Sequence, residues 1–103
     1  MGHWPAKIGG GRLVDEPGHV IDLMPTLLDI AGADYPQEFQ GKQIQPMEGR
    51  SLKPQLLGAR AETSPRPIFW EHQGNKAVRI GNFKAVASGR GPWELYDLSR
   101  DRC

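Results

Sequence analysis

PIFWEHQGNKAVRIGNFKAVASGRGPWELYDLSRD, residues Pro67 to Asp101, decides the fold. Four runs rich in aromatic and β-branched residues stand out: Ile68 to Glu71, Lys76 to Ile80, Phe83 to Ala87 and Trp93 to Asp97. Each is separated from the next by glycine or asparagine, so the stretch reads as a small antiparallel sheet. The tightest connection is Gly81-Asn82, where glycine supplies the positive φ that a two-residue hairpin needs. That turn predicts Ile80 opposite Phe83, Arg79 opposite Lys84 and Val78 opposite Ala85. One face is then apolar and the other carries two cations. Like charges directly across a ladder repel, so Arg79 and Lys84 call for an acid on a neighbouring strand, an anion, or splaying into water.

Outward from the sheet, the Ala59 to Pro67 run is polar and proline-rich and reads as an exposed linker. Two short helical segments precede it. Asp22 is placed as the N-cap of the first, with Met24, Leu27, Leu28 and Ala31 on one apolar stripe and Gly32 as its stop. Pro25 is acceptable in the first turn, where its missing N–H would have no helical partner. Ser51 caps the second helix, Leu52, Leu56 and Leu57 give its apolar side, and Gly58 ends it. This segment is barely two turns long and must be held by packing. Tyr35 to Arg50 shows no periodicity and reads as a connector. The expected class is therefore α+β, short helices followed by a four-stranded antiparallel sheet.

Composition limits the function. The chain has 103 residues, 38% of them apolar, with 13 glycines and 9 prolines. This is loop-rich and low in apolar content for a self-sufficient globule, and fits a piece whose apolar faces are completed by something larger. Thirteen Lys and Arg against twelve Asp and Glu leave a net charge of +1, so no global field favours nucleic acid or anionic lipid. No apolar run reaches the ~18 residues of a membrane span. The single cysteine, Cys103, excludes an internal disulfide framework. Gly9-Gly10-Gly11 lacks the Lys-Ser/Thr of a phosphate loop.

His3, His19 and His72 are far apart and lack the paired spacing of a metal site, so no metal ligand is assigned. No catalytic residue is assigned either. Trp70, Trp93 and Tyr96 read as sheet-face aromatics, although tryptophan beside a polar loop also builds sugar-binding platforms. Glu71-His72-Gln73-Gly74-Asn75 is the most polar short loop between two hydrophobic strands, the kind of place where recognition residues lie. His72 and Asn75 are its candidate substrate-binding side chains.

Several segments together carry a family resemblance: His19-Val-Ile-Asp-Leu-Met-Pro-Thr-Leu-Leu-Asp-Ile-Ala-Gly32, Gly49-Arg-Ser-Leu-Lys-Pro54, Phe69-Trp-Glu-His-Gln-Gly-Asn75, Ala77-Val-Arg-Ile-Gly-Asn-Phe-Lys84 and Trp93-Glu-Leu-Tyr-Asp-Leu98. In order and spacing they resemble the C-terminal part of arylsulfatases, the formylglycine-dependent family with an alkaline-phosphatase-like fold. His3-Trp4-Pro5 is similar to the segment after that family's last active-site lysine. The resemblance implies that residues 1–58 close the large α/β domain, 59–66 link, and 67–103 form the antiparallel C-terminal subdomain with its final helix missing.

It also implies a parent enzyme that hydrolyses sulfate esters with a formylglycine, made from Cys or Ser in a Cys/Ser-x-Pro-x-Arg motif, beside a calcium ion. Ser64-Pro65-Arg66 does not supply that motif, because its proline comes one place early, and nothing follows Cys103. The expected partners are the missing N-terminal sulfatase domain and, in the parent, a sulfate ester substrate. The family resemblance implies a periplasmic or secreted location. The chain alone is expected to be inactive, to complete the fold and one wall of the substrate cleft, and to self-associate through the Met24 stripe. The alternative is a free-standing interaction or carbohydrate-binding module without catalysis.

Overall fold

A computed structural model describes residues 2–59 and 65–101. Most of the segment expected as a linker, the serine of Ser64-Pro65-Arg66, and Cys103 lie outside the described residues. The chain divides into two units, Met1–Glu62 and Thr63–Cys103. The arrangement is α+β, with short helices, a two-stranded sheet and a four-stranded antiparallel sheet.

In the first unit a 3-10 turn, Val20–Asp22, runs directly into helix α1, Leu23–Ala31. The helical run begins one turn earlier than the sequence suggests, which corrects the role of Asp22. His19 is extended and caps the turn, its Nδ1 accepting from the Ile21 N–H over 3.3 Å, while Asp22 Oδ2 accepts from the His19 N–H over 2.8 Å. Asp22 is thus the back-reaching acid of a capping box. Its own backbone is already helical, so as an N-cap of α1 it makes no side-chain bond. Gly32 takes φ +66° and ends α1 in the left-handed conformation expected of it.

The connector after α1 contains a hairpin that sequence periodicity did not show. Strands β1, Glu38–Phe39, and β2, Lys42–Gln43, pair around Gln40-Gly41, both at positive φ. Helix α2 spans only Lys53–Leu56, one turn, with Ser51 Oγ accepting from the Lys53 N–H at its start.

The centre of this unit is polar. Asp22 is fully buried and Thr26 nearly so. Asp22 Oδ1 accepts from the Arg50 N–H over 2.9 Å, Thr26 Oγ1 donates to the Asp22 carbonyl over 2.6 Å, and the Leu52 N–H donates to Thr26 Oγ1 over 2.8 Å. Segment 49–52 is therefore stitched to the start of α1 by its backbone N–H groups, each of which would be costly to bury unpaired. A second set of contacts holds the helices further along. Asp29 accepts from Ser51 Oγ at 2.6 Å and from Lys53 Nζ at 2.7 Å. Arg12 Nη2 donates to the Gln55 and Leu56 carbonyls at the end of α2, groups that a helix terminus leaves unsatisfied.

The second unit is a meander, β3 (Ile68–His72), β4 (Asn75–Ile80), β5 (Phe83–Ala87) and β6 (Trp93–Asp97), in the spatial order of the sequence. Across the Gly81-Asn82 turn Ile80 faces Phe83, Arg79 faces Lys84 and Val78 faces Ala85, as the turn chemistry predicts. Gln73 and Gly74 form the first turn with φ of +51° and +83°, the pattern of a primed hairpin turn. The polar loop expected over residues 71–75 is thus only two residues long, and His72 and Asn75 are paired strand ends.

Residues directly paired across a ladder share a face. One face carries the row Phe69, Val78, Ala85 and Leu95, flanked by Ile80 and Phe83 on one side and by Ala87 and Trp93 on the other. Its large side chains are open: Phe69 is 67% and Leu95 72% exposed, and Phe83 and Trp93 more than half. The opposite face carries Ile68, Arg79, Lys84 and Tyr96, then Trp70, Ala77, Val86 and Glu94, then His72 and Asn75. Ile68, on that face, and Ala87, on the first, are the buried hydrophobic side chains among the described residues.

Candidate functional site

The mixed face of the four-stranded sheet gathers the chemistry-bearing side chains. At one end His72 and Asn75 face each other across β3 and β4. Asn75 is partly committed, since its Oδ1 accepts from Ser88 Oγ at 3.2 Å and from the Gly89 N–H at 3.1 Å. That pair of bonds pins the β5–β6 connection and engages only the oxygen of the exposed Asn75 amide. The His72 side chain is exposed. Glu71 points to the other face and accepts from the Gly74 N–H at 3.0 Å, which stabilises the turn that sets His72 opposite Asn75.

At the other end Arg79 and Lys84 are direct cross-strand neighbours, both half-buried. Arg79 Nε donates to the Gly81 carbonyl over 2.9 Å. Neither cation is in an ion pair among the described residues, unlike Lys53, which pairs with Asp29 in the first unit. The acid expected from the neighbouring strand is differently engaged. Glu94 on β6 accepts a short hydrogen bond from Tyr96 Oη, and Tyr96 stands directly opposite Lys84. This bond, followed by the charge of Glu94, then burial and the charge of Asp101, raises the Tyr96 phenol above its ordinary pKa.

At the end of β6, Asp97 Oδ1 accepts from both the hydroxyl and the N–H of Ser99, which holds its carboxyl below the usual range. In the first unit, Gly2 to Pro5 and Ile8 to Gly10 line a groove of about 280 Å³, with Trp4, Pro5 and Ile8 as its apolar walls and His3 as the ionisable side chain among them.

The structure brings His72 and Asn75 together and leaves His3 and His19 in the other unit. Among the described residues no group of three or more His, Cys, Asp or Glu side chains could hold a metal ion. The described residues therefore offer no ligand set for the calcium ion that the family resemblance implies, and the sequence has no Cys/Ser-x-Pro-x-Arg run from which a formylglycine could be made. No helix among the described residues is long and apolar enough to cross a membrane.

Sequence comparison supplies the wider setting. An uncharacterised sulfatase of Schizosaccharomyces pombe is 30% identical over 105 residues, covering 96% of this chain and 19% of the relative. Arylsulfatase D of Homo sapiens is 33% identical over 94 residues, covering 91% of this chain and 14% of the relative. The chain is homologous to the C-terminal part of sulfatases. N-acetylgalactosamine-6-sulfatase of Canis lupus familiaris agrees, at 31% identity over 103 residues, 97% of this chain and 18% of that sulfatase. No family model matches the sequence. The chain thus spans less than a fifth of the length of these sulfatases, consistent with a fragment of a sulfatase-like protein.

Proposed function

We propose that this chain is the C-terminal portion of a sulfuric ester hydrolase, inert by itself, which completes the enzyme's fold and supplies one wall of its substrate cleft. The observation that carries this reading is the apolar surface left open on each unit. In the first, Val20, Leu23, Met24 and Leu27 are all more than half exposed along one helical run. In the second, Phe69, Phe83, Trp93 and Leu95 lie open on one face of the sheet. Contiguous apolar surface of this kind marks a missing partner. The N-terminal sulfatase domain is the partner for the helical face, and the final helix that the family resemblance implies is the partner for the sheet.

Calcium and formylglycine belong in this reading to the absent portion, and the sulfate-handling chemistry with them. What this chain contributes is positioning. The His72 imidazole and the Asn75 amide, held at fixed separation by the Gln73-Gly74 turn, contact the part of the substrate that does not react. Such contacts act on binding of the whole ester before they act on the chemical step.

The test is complementation. The chain, combined with the N-terminal remainder of a sulfatase that lacks its own C-terminal part, is expected to restore turnover of an aryl sulfate that neither piece performs alone. Turnover by the chain alone, or a remainder whose activity the chain leaves unchanged, would overturn the reading. In the restored enzyme, His72→Ala and Asn75→Ala are expected to lower kcat/KM for a large sulfate ester more than for a minimal aryl sulfate. Equal kinetics on both, with a lowered Tm, would assign the two side chains a structural role only.

A further inference from the structure

We propose that Arg79 and Lys84 form an oxyanion subsite that takes a sulfate group, on the sheet face opposite the open apolar row. The choice of sulfate rests on the sulfatase reading; the site itself rests on the placement of the two cations. They are direct partners on the two central strands, β4 and β5, so the ladder fixes their backbones side by side. Both are half-buried, and a partly desolvated like-charge pair needs a counter-charge more than an exposed one does. Neither is in an ion pair among the described residues.

The flanking groups confine an anion to this position. Ile68, which is buried, lies opposite Arg79 on one side, and Tyr96 lies opposite Lys84 on the other. The nearest strand-borne acid, Glu94, is one row away and holds the Tyr96 hydroxyl, and Asp101 lies near enough to Tyr96 to act on it by charge. The Nε of Arg79 is fixed to the Gly81 carbonyl, which orients the guanidinium and leaves its NH2 donors for a ligand. A planar donor fork beside a point-charge ammonium suits a tetrahedral anion, which accepts from both at once. Lys76 makes the contrast clear. It lies on the opposite face, directly across from Glu71.

The experiment is a titration of the full chain, followed through the Arg79 and Lys84 resonances by NMR, with sodium sulfate, with a monosulfated monosaccharide, and with sodium chloride at matched ionic strength. Saturable shifts at these two residues at millimolar sulfate or sulfate ester, absent with chloride, are the expected result. The tighter of the two sulfate arms identifies the source, free ion or ester. Lys84→Met and Arg79→Gln should each weaken binding roughly tenfold or more, the scale of one charge-assisted hydrogen bond, whereas Lys76→Met should leave it unchanged. No saturable shift with either sulfate source, an equal response to chloride, or equal loss on Lys76→Met would overturn the proposal. Because the wild-type titration reads the site directly, a variant that fails to fold does not decide the matter. Failure here with successful complementation would sink the subsite and keep the sulfatase reading, and the reverse would do the opposite.

Discussion

The backbone N–H of Arg50 donates to Oδ1 of Asp22 over 2.9 Å, across 28 residues of chain. The other carboxylate oxygen holds the His19 N–H, so one fully buried side chain fixes both the start of the helical run and the segment that leads to α2. Asp22→Ala should leave two N–H donors without their acceptor and destabilise the first unit by about 3 kcal/mol. Amide exchange at Arg50 and His19 checks this, with protection at both expected to fall together. Loss at His19 alone would mean that Arg50 finds another acceptor.

Gly49 tests the same junction sterically. A Cβ there would stand 2.0 Å from the Ile21 carbonyl oxygen and 2.6 Å from its carbon, and backbone atoms cannot rotate away as a side chain would. Gly49→Ala should therefore push segment 49–52 off the helix start and cost about 2–4 kcal/mol. Gly10→Ala, with nothing within 4 Å of the added carbon, is the neutral control. The readout is the thermal unfolding midpoint of each variant, and equal midpoints would show that the junction opens without penalty.

The two sites show what sequence can and cannot carry. The strand runs and the Gly81-Asn82 turn were legible because local chemistry sets them: β-branched and aromatic residues between glycine-bearing turns. The role of Asp22 was not, since one of its partners lies 28 residues away and a capping pattern reports only local partners. The β1–β2 hairpin escaped because each strand is two residues long and Gln40 takes a positive φ that its residue type does not advertise. Pairing register placed Arg79 beside Lys84, yet no pattern in the strands says that Glu94 is engaged by Tyr96. Sequence composition places His72 and Asn75 in a loop, whereas the shortness of the turn makes them a cross-strand pair.

The open apolar surfaces predict association in the isolated chain. Leu27 on α1 and Leu95 on the sheet are 63% and 72% exposed, on faces whose neighbours are also apolar. Sedimentation velocity should show concentration-dependent self-association, and Leu27→Glu and Leu95→Glu should each reduce it by charging one face. The double variant should be the most nearly monomeric. A wild-type chain that stays monomeric at all concentrations would mean that these faces do not attract one another.

Asp29 gives the chain an acid-sensitive contact. Its hydrogen bond from Lys53, then that from Ser51, holds its carboxyl below the ordinary value of 3.8. A carboxylate with a lowered folded-state pKa stabilises the fold at all pH values above the unfolded pKa, about 3.9, and the contribution is lost as pH falls through the folded value, where the native state gains its proton. The Ser51 and Lys53 contacts should thus be intact above the ordinary value of 3.8 and weaken only as pH falls below it. An NMR titration of the Asp29 carboxyl carbon checks the direction. Lys53→Met should return the pKa towards 3.8 by more than Ser51→Ala does, because the Lys53 bond is the larger cause. Denaturant midpoints measured across the same range should fall with acid in the wild type and fall less in Asp29→Asn, whose side chain has no proton to gain. The pair is substantially exposed, so added salt should shrink the difference. An Asp29→Asn chain as acid-sensitive as the wild type would place the sensitivity elsewhere, with Asp97 and its Ser99 contacts the next group to examine.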